Sequence, residues 1–155
     1  MSNDNSKNVL AVAALQNGTV IDHIPACSVF DVVRLLGIEK LDKSVTIGYN
    51  LDSRKLGKKG ILKVADVVFP DATLNRLALV APNVHVNIIE DYKVVKKMTV
   101  TVPDEVVGLV KCNNPKCITN NEPMSTRFHV IDKDSVSLRC HYCERAITKD
   151  EITLL

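Results

Sequence analysis

Apolar runs of strand length punctuate the first two thirds of the chain, interrupted by two stretches of helical period. After the polar start Met1–Asn8, the run Val9-Leu-Ala-Val-Ala-Ala-Leu15 reads as a strand. Asn17-Gly18 follows as a turn signal, and Thr19–Ile24 reads as more strand. Ser28 stands where a helix N-cap belongs, and Asp31 where the carboxylate of a capping box would sit. The helix from Val29 to Leu36 is so apolar that it should be mostly buried, with Asp31 and Arg34 as its wet side and Gly37 as its stop. Val45–Leu51 is the next strand. A loop over 52–60 carries two glycines with Arg54, Lys55, Lys58 and Lys59, and Ile61–Val68 returns as strand. Pro70-Asp71 opens a second helix with Leu74, Leu77 and Ala78 at i, i+3 and i+4, and Pro82 ends it. Val84–Ile89 and Lys93–Val102 then pair across the acidic turn Glu90-Asp91.

Strand, helix, strand, strand, helix, strand, with one extra strand, is the split βαβ order. The fold class expected is therefore α+β. A ferredoxin-like domain over residues 1–103 carries two helices on one face of its sheet, and the other face is left to solvent, a partner or a ligand. Pro103-Asp104-Glu105 marks a linker. Residues 104–155 change to short strands around cysteines, which predicts a small β-rich, zinc-ribbon-like domain.

Four of the five cysteines fall in that second part, as Cys112-Asn-Asn-Pro-Lys-Cys117 and, 22 residues on, Cys140-His-Tyr-Cys143. Two such turns can bring four thiolates to one tetrahedral ion. Two disulfides would suit a secreted chain, yet no apolar signal core precedes residue 9. A redox C-x-x-C belongs beside a βαβ pattern, and iron–sulfur ligands are spaced differently. Structural zinc fits best: all four ligands come from the protein, so no position is left open for water. His141 reads as an exposed residue of the second turn, and the lone Cys27 as a small buried hydrophobe.

The chain has 155 residues, 46% of them apolar and 25% charged, with 20 Lys and Arg against 18 Asp and Glu. This is an ordinary globular composition, and a net charge of +2 is no footprint of a polyanion binder. No run approaches the length of a membrane span. The expected setting is cytoplasmic, with no membrane partner. Residues 112–155 balance six basic against six acidic residues and lack a row of aromatics, which argues against nucleic acid and for protein docking. In the first domain, basic residues cluster from Arg54 to Lys63 and at Lys93, Lys96 and Lys97, and most such clusters are solvated edges. Lys63 is less ordinary, because alternation between Leu62 and Val64 puts it on the polar face of a strand. With Asp22, His23 and Lys97 on the same sheet, it could serve a nucleoside triphosphate: Asp for a ribose hydroxyl, His and Lys for phosphates. No phosphate-cradling loop or nucleophile motif is present, so the chain does not read as an enzyme.

Three segments together resemble the regulatory chain of aspartate carbamoyltransferase. They are Gly18-Thr-Val-Ile-Asp-His-Ile-Pro25; Leu77-Ala-Leu-Val-Ala-Pro-Asn83 with Val86-Asn87 and Tyr92-Lys-Val-Val95; and the cysteine pattern with Cys140-His-Tyr-Cys-Glu144. The resemblance implies a non-catalytic subunit, with an allosteric domain and a zinc domain, that forms dimers bridging catalytic trimers in the first committed step of pyrimidine biosynthesis. CTP and ATP are the implied effectors, with UTP beside CTP in some members. Carried over, Asp22 and Lys63 would hold the ribose, and His23 and Lys97 the triphosphate, with Val94 at that end. The backbone around Leu15 and Tyr92 would read the base, and Val12, Ala14, Asn87 and Ile89 would line the pocket. Cys112, Cys117, Cys140 and Cys143 match the zinc ligands, and Asn114 and Glu144 the contact with the catalytic chain. The pattern departs from the best-known members at Val9, Ala13, Lys96 and Lys116. The competing class is a zinc-ribbon nucleic-acid factor with a ferredoxin-like domain.

Overall fold

The computed structural model of the protein describes residues 14–155. The site residue Val12 and most of the first expected strand lie outside the described residues; Ala14 and Leu15 belong to no strand. The elements that follow are β1 (Gly18–Pro25), α1 (Val29–Leu35), β2 (Val45–Ser53), β3 (Gly57–Ala65), α2 (Asp71–Val80), β4 (His85–Glu90) and β5 (Lys93–Thr99). Their sheet runs β2-β3-β1-β4-β5, and every neighbouring pair is antiparallel. That is the split βαβ order with β5 added beyond β4.

Register assigns the two faces. Ile21 lies opposite Leu62 on one side and Val86 on the other, and all three are buried. Under the helices they meet Val29 and Val32 of α1 and Leu74, Leu77 and Ala78 of α2. Gly60 on β3 lets α1 approach this closely, because a Cβ there would lie 2.1 Å from Val29 Cγ2. One residue out of phase, Thr46, Lys63, Val20, Asn87 and Lys97 form a single row across all five strands. Side chains alternate along a strand, so this row faces away from the helices.

Several local expectations are corrected. The expected loop over 52–60 is a tight hairpin, with β2 running to Ser53 and β3 starting at Gly57. The two basic residues Lys58 and Lys59 thus stand on a strand. Ser28 precedes α1 but makes no side-chain cap; Asp31 instead pairs with Arg34 one turn on. Gly37 ends the helix region in the left-handed conformation, at φ 63°. Phe30 is exposed on α1, with its ring 5.2 Å from that of Tyr49. Cys27 is exposed in a 3-10 turn rather than buried.

The second part holds β6 (Glu105–Val107), β7 (Val110–Lys111), β8 (Arg127–Asp132), β9 (Ser137–Cys140), β10 (Ala146–Ile147) and β11 (Thr153–Leu154). They form a sheet β10-β9-β8-β6 and a ribbon β11-β7 over Phe128, Val106, Leu138 and Ile147. The segment between the two parts is no loose tether: Val100 and Val102 are buried, and Asp104 accepts the Val130 N–H at 2.9 Å through its carbonyl. Lys149 Nζ donates to Ser28 Oγ at 3.2 Å, and Arg76 Nη2 to the Leu155 carbonyl at 2.6 Å, so each part also holds the other. Among the described residues no helix is long and apolar enough to cross a membrane.

Candidate ligand cavity and metal centre

The helix-free face carries a cavity of about 680 Å3, within the range of small-molecule sites. It runs along β1. One end is apolar: Ala14, Leu15, Ile89, Tyr92 and Val94 line it. The segment before β1 is tied to the β4–β5 turn there, since Tyr92 N–H donates to the Gln16 carbonyl at 3.0 Å and Asp91 N–H to Asn17 Oδ1 at 3.2 Å. The Tyr92 N–H is thus already committed, and only its carbonyl is left for a base edge. Val20 and Asn87 form the floor. The other end is charged, with Asp22, Lys59 and Lys63.

The charged end has its own order. Asp22 Oδ1 accepts from Lys59 Nζ at 2.9 Å and from the His23 N–H at 2.7 Å. Burial draws the Lys63 ammonium below the ordinary lysine value, and Asp22 opposes that shift. Lys59 lines the cavity and pairs with Asp22, a place that alternation alone did not single out because the sequence reading leaves it in a loop. The only signal was the basic cluster around it.

Two expected residues lie outside the cavity lining. Lys97 is on the same face in register with Asn87, but three strand spacings from Lys63, roughly 14 Å. His23 sits in a bulge of β1, between Ile21 and Ile24, with φ 61°. The bulge turns its ring onto His85, with centroids 4.4 Å apart. Burial is the main reason its pKa lies below the usual histidine value; Asp22 pulls the other way, and His85, Lys59 and Lys55 reinforce the lowering.

The four expected cysteines converge, with sulfurs within 4.8 Å of one another. Cys112 and Cys143 are 3.6 Å apart and Cys117 and Cys140 3.8 Å. A disulfide needs ~2.05 Å. An ion at ~2.3 Å from four tetrahedral sulfurs requires edges of about 3.8 Å, so the set fits zinc. Its donors fit too. The Asn114 N–H serves the Cys112 sulfur, those of Tyr142 and Cys143 serve Cys140, and that of Arg145 serves Cys143. Burial pushes the Cys112 thiol up to about 12. Burial also opposes ionisation of Cys143, but the Arg145 N–H, the Asn114 side chain and the neighbouring thiols bring it down to about 7. A cation is what allows all four to ionise together.

Side chains the spacing did not reveal brace this centre. Asn120 Nδ2 donates to the carbonyls of Cys112 and Asn114, both at 2.8 Å. Asn121 Nδ2 donates to those of Cys117 at 2.8 Å and Pro115 at 3.2 Å. Asn114 is itself engaged, accepting the Lys116 N–H at 3.1 Å and donating to Cys143. Glu144 is exposed and left-handed, at φ 63°. His141 contributes no ligand and meets His129 at 2.9 Å, Nδ1 to Nε2.

Comparison with known proteins gives two family matches along the chain. Residues 10–101 match the family described as aspartate carbamoyltransferase regulatory chain, allosteric domain, and residues 104–153 match its metal binding domain. The chain is 61% identical over 150 residues to the aspartate carbamoyltransferase regulatory chain of Bacteroides thetaiotaomicron, covering 97% of this chain and 98% of that one. It is 59% identical to that of Phocaeicola vulgatus over the whole length of both. To that of Pyrococcus horikoshii it is 48% identical over 145 residues, covering 92% of this chain and 95% of that one.

Proposed function

The chain belongs to the family of aspartate carbamoyltransferase regulatory chains, and on that premise we propose that it is a nucleotide-sensing, non-catalytic subunit that binds CTP or ATP on its first domain and docks on the catalytic chain through its zinc domain. The observation that carries the effector reading is the convergence of Asp22, Lys63, Asn87, Ile89, Tyr92 and Val94 in one cavity on the helix-free face. Its apolar end suits a base, and its Asp22–Lys59–Lys63 end suits a ribose and the first phosphate. Lys97 and His23, on the same side of the sheet, extend that end toward solvent.

The effector acts by linkage. Bound to the first domain, it shifts the complex between a low-affinity and a high-affinity arrangement, to the extent that it binds the two differently, typically ~1–3 kcal/mol. The zinc supplies rigidity: it fixes the turns that carry Asn114 and Glu144, the residues assigned to the catalytic-chain contact. The boundary between residues 103 and 104 separates the two tasks. Two such chains pair as a dimer that bridges catalytic trimers, in the cytoplasm, where thiols stay reduced. UTP is a candidate second effector.

Calorimetric titration of the zinc-loaded chain with CTP at physiological salt tests the reading. Saturable binding that Lys63→Ala and Lys97→Ala both weaken supports it. No binding by the chain alone or in complex with the catalytic chain removes the effector role and leaves the docking role.

A further inference from the structure

His85 belongs to none of the functions above, yet its surroundings are those of a ligand residue. It lies directly opposite Asp22 on β1 and Thr99 on β5. Two residues along β4 stands Asn87, which lines the cavity, so His85 projects from the same face. Lys97, opposite Asn87, is its diagonal neighbour across β4–β5, at about 7–8 Å. The face therefore changes from apolar at Ile89, through Asn87, to basic at His85 over four residues, about 13 Å.

His23 is turned onto the His85 ring by the β1 bulge. Its Nδ1 is buried and finds no hydrogen-bond partner among the described residues. The Asp22 Oδ2 is 3.7 Å away, too far for a hydrogen bond. A neutral ring protonated on Nε2 directs a lone pair at that carboxylate. A second proton, on Nδ1, removes the mismatch and leaves the Nε2–H to donate from a side chain that is 34% exposed. What opposes this proton, besides burial, is the positive charge of Lys55 and Lys59 from the hairpin and the neighbouring imidazole of His85. Lys97 of β5 flanks the same face, and Asp22 of β1 is the one acidic group against the ring among the described residues.

We propose that His85 is a further effector-binding residue, which together with His23 forms a two-imidazole seat for the polyphosphate end of the nucleotide and holds it with a proton taken up as it binds. The proposal rests on the effector reading of the cavity. A polyphosphate adds negative charge beside a ring that faces Lys55 and Lys59, so His23 becomes a better base when it arrives. Nucleotide affinity then increases as pH falls through the histidine range, by at most about tenfold per pH unit for one proton.

Calorimetry of the zinc-loaded full chain with CTP, from about pH 6 to about pH 8 and in two buffers of different ionisation enthalpy, reads both quantities. The expected result is net proton uptake on binding. The wild-type to His85→Gln affinity ratio should also rise as pH falls; it cancels the titration of CTP itself. Cytidine, which lacks phosphates, should bind both proteins equally. CTP binding without proton uptake by the wild-type chain overturns the proposal without any variant. Equal losses of CTP and cytidine in His85→Gln overturn it too, by making His85 a structural residue. Absence of CTP binding at every pH removes the effector reading, and this proposal with it.

Discussion

The two halves of the molecule order themselves by different means. The first domain has strands of six to nine residues and two helices closed over Ile21, Val29, Val32, Leu62, Leu77 and Val86. The second has strands of two to six residues, and its fully buried side chains Phe128, Leu138 and Ile147 pack beside cysteines. A fully buried leucine is worth ~1.5–3 kcal/mol relative to exposure. A structural zinc contributes ~10–16 kcal/mol in small modules, as much as roughly five such leucines. Where long strands are lacking, the ion takes the place of the missing core. The domain proposed to respond to an effector is thus held by ordinary packing, while the metal-binding domain is held by its ion.

Removing zinc with a mercurial should have the largest effect and is the sharpest way to break this comparison. The second domain should unfold and release the chain from its catalytic partner, since ~10 kcal/mol or more of folding energy leaves with the ion. CTP binding should outlast that loss. A complex that stays intact without zinc, seen by size-exclusion chromatography, sinks the assignment of docking to the zinc domain. The converse perturbation is Leu77→Ala, which empties a fully buried position of α2. It should cost about 2–5 kcal/mol in urea unfolding of the first domain and leave zinc affinity in a chelator competition unchanged.

Smaller effects separate function from fold within each half. Lys63→Ala removes a charge-assisted contact, worth ~1.5–3 kcal/mol or about tenfold to a hundredfold in CTP affinity by calorimetry. Asn120→Ala deletes two of the four side-chain bonds that brace the first zinc turn and should cost about 1–2 kcal/mol, seen as faster zinc transfer to a chromophoric chelator. The smallest change belongs to Asp104→Asn. Its carboxyl is held below the ordinary aspartate range by the hydrogen bond and charge of Lys133, but both side chains are mostly exposed. A carboxyl lowered on folding adds stability above its unfolded pKa of ~3.9 and loses it as pH falls through the folded value. At neutral pH the thermal midpoint of this variant should be close to wild type, with any difference vanishing in acid.

Legibility differed between the halves as well. The metal centre was readable because tetrahedral ligation fixes how many residues separate ligands within each turn, and Cys112, Cys117, Cys140 and Cys143 meet that constraint in one dimension. Its braces were not, because Asn120 and Asn121 lie outside the cysteine pairs and act through carbonyls whose direction only the folded turn sets. In the first domain, the alternation around Lys63 correctly assigned its face, a property of a single strand. The hairpin of β2 and β3 was read as a loop because Lys58 and Lys59 resemble solvent-facing sequence. Only pairing with Asp52 and Asp22 shows what they do there.

The split βαβ order of the first domain, the face of Lys63 and the identity of the four cysteines of the metal centre were determined by the sequence itself, because each depends on spacing along one segment. Tertiary structure decided which residues from separate segments meet. It turned His23 onto His85 through a bulge, paired Lys59 with Asp22, left Cys27 and Phe30 exposed, and replaced the cap expected at Ser28 with a contact from Lys149. Strand register and the packing of one domain against the other are long-range choices, and no local pattern encodes them.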